Sequence, residues 1–267
     1  MSPLLTHRLQ GHGEEVVVLL NGGMMTYPSW APITEDLLEA GYRVLGCDFR
    51  GQLLTPGPAP GRIEGHAPDV IALLDALDIG RPHLLGTSYG GEVGLVAASL
   101  QPERFRSLTV VTAVDRTPPG MPEGSRRMAE LVREVLAGRG SQRFRDALLD
   151  DFYSPAYRRT HAEELRNRQR QTAALPHSWY EGLLGILASL EDFDLTPHLA
   201  KIQAPTLIMH AALDAVMPVE RVQALADGID GAELRIHPTS GHAMVIEDPA
   251  WLSATHLEFL AGLRGGR

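Results

Sequence analysis

The sequence predicts an α/β fold, a mostly parallel sheet flanked by helices, with a helical segment inserted late in the chain. Three observations predict it. Short apolar runs rich in Val and Leu alternate with longer segments of helical periodicity, the pattern of parallel strands covered on both faces. A glycine-rich turn, Gly86-Thr87-Ser88-Tyr89-Gly90-Gly91, joins one such run to one such helix. The alternation stops between residues 115 and 200 and then resumes.

Taken in order, residues 4–9 suit a first edge strand. Residues 16–20, VVVLL, are a continuous run expected of a strand buried on both faces. They lead into Asn21-Gly22-Gly23-Met24-Met25 and a helix over 29–40. Residues 43–48 read as the next strand, and Phe49-Arg50-Gly51 turns away from it. A loop rich in Pro and Gly, 55–61, precedes a helix over 67–77. The strand before the glycine-rich turn covers 83–85, and the helix after it 92–100. Residues 107–111 form a further strand. Within the interruption, 126–137, 142–152, 162–173 and 180–190 have helical spacing and many charges. A strand at 205–210, a helix at 219–226, a strand at 232–237 and a helix at 251–260 complete the core. The division is therefore 1–114 with 201–267 as the core, and 115–200 as an inserted helical cap. The insertion carries twelve arginines and thirteen acidic residues. That near-balance suits solvated helix faces better than an anion site.

A chain of 267 residues suits one domain with an insertion. The net charge of −9 argues against a nucleic-acid partner. Cys47 is the sole cysteine, which excludes an intrachain disulfide and fits a reducing cytoplasm. The first ten residues lack the apolar core of a signal peptide. No run of eighteen apolar residues exists, so no membrane association is expected. No feature of the sequence sets an oligomeric state.

The chemistry centres on Ser88. A strand, a Gly-x-Ser-x-Gly turn and a helix in succession form a nucleophile elbow. The apex serine sits in strained backbone, which brings the residues on either side of it together, so only glycine fits at 86 and 90. The plain alternative is a glycine-rich turn around a buried serine. The Tyr89 N–H, at the helix N-terminus, is placed to bind a developing oxyanion. A serine hydroxyl needs a base, and the base needs an orienting carboxylate. Asp214 lies in the loop after the 205–210 strand, and His242 in the loop after the last strand. The order Ser, Asp, His is the one this architecture requires. Asp115 also follows a strand, but it starts the insertion, where salt bridging suffices to explain it. Of the other histidines, His7, His12, His161, His177 and His256 read as surface residues. None pairs at metal-ligand spacing, and neither metal nor cofactor is expected. The second oxyanion donor is expected from Gly22-Gly23-Met24, with the N–H of Met24 or Gly23 pointing inward. Trp179 and Tyr180 in the cap are candidate substrate contacts, with the cap's own core as the other reading.

These motifs resemble the α/β-hydrolase superfamily, in the capped branch of small esterases, lactonases, cofactor-free haloperoxidases and carbon–carbon bond hydrolases. The resemblance spans nearly the whole chain. It rests on Asn21-Gly22-Gly23-Met24, Asp48-Phe49-Arg50-Gly51, the Ser88 turn, Asp214 and Ser240-Gly241-His242. Members usually carry His-Gly where this chain has Asn21-Gly22, a departure that alters hydrogen bonding behind the oxyanion loop. A serine nucleophile argues against haloalkane dehalogenases and epoxide hydrolases. The resemblance implies hydrolysis of a small carboxylic ester or lactone. The same triad also serves carbon–carbon cleavage of vinylogous diketones and perhydrolysis. A ligand receptor built on the same fold is the reading from outside enzymology.

Overall fold

A computed structural model describes residues 4–55 and 57–265. Pro56, in the expected 55–61 loop, and the terminal residues 1–3 and 266–267 lie outside the described residues. The sheet has seven strands: β1 (His7–Gln10), β2 (Val16–Leu20), β3 (Arg43–Cys47), β4 (His83–Thr87), β5 (Ser107–Val111), β6 (Thr206–Ala211) and β7 (Glu233–His237). Their spatial order is β1-β3-β2-β4-β5-β6-β7. Only β1 runs antiparallel, pairing His7 with Cys47, and every other neighbour is parallel.

Strand alternation explains the two apolar layers. Val16, Val18 and Leu20 of β2 join the cluster with α2 (Ala67–Ala76), α3 (Tyr89–Leu100) and α9 (Val219–Gly228). Val17 and Leu19 point the other way, toward α1 (Ala31–Glu39) and α11 (Pro249–Gly265). Between β5 and β6 the chain forms α4 (Met121–Leu136), α5 (Gln142–Phe152), α6 (Pro155–Thr160), α7 (Ala162–Ala173) and α8 (His177–Ser189). Of these, α4, α5 and α8 share an apolar cluster built on Met128, Val132, Phe144, Trp179, Tyr180 and Leu183, against which Met24 and Leu53 also pack. Two short helices, α6 and α10 (Met244–Glu247), have no counterpart in the sequence-based elements; each is under two turns, too short for a periodicity to show.

His256 corrects the expectation of a surface position: it is wholly buried, with Nδ1 3.0 Å from the Thr109 hydroxyl. α11 turns that face onto the sheet. Burial holds the rings of His66 and His256 down to about 3 and that of His83 down to about 4. In the unfolded chain these rings titrate near 6.5, so between about pH 6.5 and 4 unfolding takes up about three protons through them. Stability then falls as pH falls, by about 1.4 kcal/mol per pH unit for each proton. Glu92 acts in the opposite sense. Burial raises it to about 8, so above its ordinary value the folded chain keeps a proton that the unfolded chain releases. Two protons net remain in the window. Calorimetry should show Tm dropping steeply from pH 6.5 to 4.5, and a flat Tm would contradict three neutral buried imidazoles.

Candidate active site

The site begins with backbone geometry at Ser88. Its φ of 49° and ψ of −124° put a non-glycine residue in a sparsely populated region, a local strain that the surrounding structure must hold. The hold is visible. The Ser88 N–H donates to the Val111 carbonyl of the neighbouring strand at 2.8 Å. A Cβ on Gly86 would collide with the Gly90 carbonyl, and one on Gly90 would lie 2.6 Å from the Asn21 carbonyl. The glycines therefore let the elbow fold back tightly between β4 and α3. Tyr89 is the first residue of α3, where amides have no intrahelical acceptor.

His242 Nε2 lies 3.0 Å from Ser88 Oγ, and His242 Nδ1 lies 2.9 Å from Asp214 Oδ2. The structure thus brings the three expected side chains into one line from three separate strand ends. Ser88 is partly exposed, whereas His242 is 5% exposed. The other carboxylate oxygen, Asp214 Oδ1, accepts the Val216 and Met217 N–H groups at 2.8 and 2.9 Å. Burial pushes the Asp214 carboxyl up. The facing His242, with the amides of Met217 and Val216, outweighs burial and leaves it below the usual carboxylate range. His210 comes within 3.9 Å of the same carboxylate, and burial holds its ring below the ordinary imidazole value.

Asp115 is held elsewhere. Its carboxylate pairs with Arg221 and accepts the Thr196 hydroxyl at 2.6 Å, while its carbonyl accepts the Leu195 N–H. It ties the two ends of the insertion together.

Gly23 sits beside Tyr89: a Cβ on Gly23 would lie 3.8 Å from that of Tyr89 and 3.1 Å from Ile186 Cγ2. Gln52 Nε2 binds the Gly22 carbonyl at 2.8 Å and reaches the Gly23 carbonyl at 3.5 Å. Met24 packs against the cap cluster.

α8 lies directly over this loop. A Cβ on Gly182 would run into the Gly51 carbonyl, Ile186 covers Gly23, and Ser189 hydrogen-bonds the Tyr89 hydroxyl at 2.8 Å. These positions share one helix face. The α5–α6 junction closes over the histidine. The Phe152 ring meets the His242 ring edge-on at 5.1 Å. Glu247 accepts the Ser154 and Gly241 N–H groups at 2.7 and 3.2 Å, joining the insertion to the His242 loop.

Trp179 and Tyr180 are 4% and 1% exposed and pack edge-on against Phe144. The Tyr180 hydroxyl donates to the Thr172 carbonyl. Both side chains belong to the apolar cluster of the insertion, against which Met24 of the Gly22-Gly23 turn also packs. Sequence reasoning does not single out Gln52, Ile186 or Glu247. The one available signal was the Asn21 departure, which leaves a polar side chain behind the loop in need of partners.

Comparison with known proteins follows the same lines. A family model described as "alpha/beta hydrolase fold" matches residues 15–249. The "Putative carbamate hydrolase RutD" of Variovorax paradoxus (strain S110) is 32% identical over 262 residues, covering 96% of both chains. Among solved structures, the enol-lactonase from Burkholderia xenovorans LB400 superposes with a TM-score of 0.85 at 26% identity, covering 96% of each chain. MGS-M2, an alpha/beta hydrolase enzyme from a Medee basin deep-sea metagenome library, reaches 0.90 at 23% identity, over 96% of this chain and 94% of its own. With the seven-stranded sheet, the serine elbow and a family match across most of its length, the chain belongs to the α/β-hydrolase family.

Proposed function

We propose that this protein is a serine hydrolase that cleaves a small carboxylic ester or lactone through an acyl-enzyme. Ser88 is the nucleophile, His242 the general base and then acid, and Asp214 the carboxylate that orients the imidazole. The observation that supports this best is the continuous line from Ser88 Oγ to His242 Nε2 at 3.0 Å and from His242 Nδ1 to Asp214 Oδ2 at 2.9 Å. As Oγ attacks the carbonyl carbon, its proton passes to Nε2. The Asp214 carboxylate then faces an imidazolium and stabilises it. The new oxyanion takes the N–H of Tyr89 and an N–H from Gly23 or Met24. Collapse expels the alcohol, which recovers the proton from His242. Water attacks the acyl-enzyme by the same route in reverse.

Residues 115–200 act as the cap of the catalytic core. Its α8 and the Phe152 junction shield the reacting carbonyl from bulk water, which strengthens each electrostatic contact in the site. No step requires a cofactor, and the substrate is a small molecule. Among the described residues no helix is long and apolar enough to cross a membrane.

A carbamate is a second substrate class, favoured by the 32% identical relative whose printed name carries that activity. Attack on a carbamate carbonyl uses the same atoms and leaves a carbamoyl-enzyme. The test has two parts. A fluorophosphonate should label Ser88 covalently and stoichiometrically. A panel of activated esters of rising acyl length, lactones and aryl carbamates should then show turnover with one class clearly preferred. Absence of Ser88 labelling, or labelling without turnover of any panel member, would sink the proposal.

A further inference from the structure

We infer that Gln52 is the positioning residue of the oxyanion hole: its carboxamide NH₂ holds the Gly22 carbonyl and so aims the Gly23 N–H at the developing oxyanion. The inference rests on the serine-hydrolase reading of the site.

The orientation of the Gln52 carboxamide is dictated by its partners. Its Oε1 accepts the Phe49 N–H at 2.9 Å, and a backbone N–H can only donate. The NH₂ end must therefore face the Gly22 carbonyl, which can only accept, at 2.8 Å. The same carbonyl also receives the Met25 N–H at 3.0 Å, so two donors pin it. A trans peptide is planar, with N–H antiparallel to C=O. Fixing the Gly22 carbonyl toward Gln52 thus turns the Gly23 N–H away from Gln52, on the residue that stands beside Tyr89. The hydrogen bond also polarises the peptide, which makes its N–H a better donor.

Gln52 is 1% exposed and is itself held fast. Asn21 Nδ2 approaches Gln52 Oε1, Asp48 Oδ1 and the Cys47 carbonyl at 2.9–3.0 Å. Asn21 Oδ1 accepts the Trp30 indole N–H at 3.0 Å. Asp48 accepts the Tyr27 and Leu54 N–H groups at 2.7 and 3.0 Å. This satisfied, buried network gives the carboxamide one available position. From above, α8 presses Gly182 onto the Gly51 carbonyl and Ile186 onto Gly23, which leaves the loop little room to rotate. A glycine pair with no side chains of its own needs such external holding, because its backbone is otherwise free.

Gln52→Glu keeps the accepting oxygen and replaces the donor with an oxygen that faces the Gly22 carbonyl. At pH 9 kcat on an activated ester should fall about a hundredfold, the scale of losing one oxyanion donor. KM should change less than threefold. An alkylboronic acid, whose tetrahedral adduct places an oxygen in the hole, should lose affinity in step with kcat. Gln52→Met, which loses both polar ends, is the second variant and should show the same split. A folded variant that keeps kcat within threefold, or loses activity through KM alone, overturns the assignment. If both variants fail to fold, the wild-type boronate adduct decides by crystallography. The Gly23 N–H must meet the boronate oxygen with the Gln52–Gly22 bond intact, and an oxygen bound elsewhere overturns the assignment. Fluorophosphonate labelling of wild-type Ser88 separates the two failures. No labelling removes the hydrolase reading, whereas labelling with unaffected variants removes only the role of Gln52.

Discussion

Ser88→Ala is expected to abolish turnover and leave the fold intact. The substitution removes one oxygen atom from a partly exposed side chain and adds none. Alanine enters the φ of 49° at the elbow at about the cost that serine already bears, because both carry a Cβ and neither is branched. The strand bond from the Ser88 N–H to Val111 and the glycine contacts around it involve backbone only. Tm should therefore stay within a few degrees of wild type. Loss of a triad nucleophile typically leaves only what binding and the oxyanion hole provide, ~10³–10⁴ over the uncatalysed reaction. Steady-state assay on an activated ester with melting of the same preparation checks both halves. A folded variant with near-normal kcat would remove Ser88 from the nucleophile role.

Asp214→Asn and Asp115→Asn should separate chemistry from stability. Both aspartates follow strands of the sheet and both side chains are fully buried or nearly so. Their partners differ. Asp214 faces His242 Nδ1, so an amide there offers an N–H to the imidazole and favours the wrong tautomer, with Nε2 protonated and unable to accept from Ser88. The expected loss in kcat is ~10⁴. The Val216 and Met217 amides that Asp214 also receives can be kept by the amide oxygen, so the stability change is small beside the kinetic one. Asp115 faces Arg221 and Thr196, and its amide leaves a largely buried guanidinium without its counter-charge. Removing one partner of such a pair costs up to about 3–5 kcal/mol, less here because Arg221 retains some solvent contact. Asp115→Asn should therefore lower Tm by several degrees and leave kcat within about tenfold, since it moves no proton in the reaction. A larger kinetic loss at Asp115 than at Asp214 would overturn the assignment of the acid.

The insertion bears on both experiments. Glu247 joins Ser154 and the Gly241 amide, and Phe152 abuts the His242 ring, so the histidine loop and the insertion are one packed unit. α8 similarly joins the insertion to the Gly22-Gly23 turn. Both halves of the site are thus positioned in part by residues that follow β5 and precede β6.

What the sequence by itself determined is the scaffold and the identities of the candidate groups. The VVVLL run, the strand–glycine turn–helix around Ser88 and the interruption after β5 are local patterns. Local sterics and burial write them directly into residue order. The same logic put Asp214 and His242 after the last two strands, because a parallel sheet delivers its strand ends to one edge. Tertiary structure alone decided what each group touches. Asp115 and Asp214 both follow strands, and the start of the insertion already set Asp115 apart in the sequence; the structure adds the partners, Arg221 for one and His242 for the other. Trp179 and Tyr180 have two readings in the sequence, substrate contact and cap core, and only the fold shows that they pack against Phe144. His256 reads as a surface residue in the sequence and is buried because α11 turns that face to the sheet. Gln52 left no periodic or motif signal. Its place behind the Gly22 carbonyl comes from contacts about thirty residues apart in the chain, a hydrogen-bond geometry that no local pattern encodes.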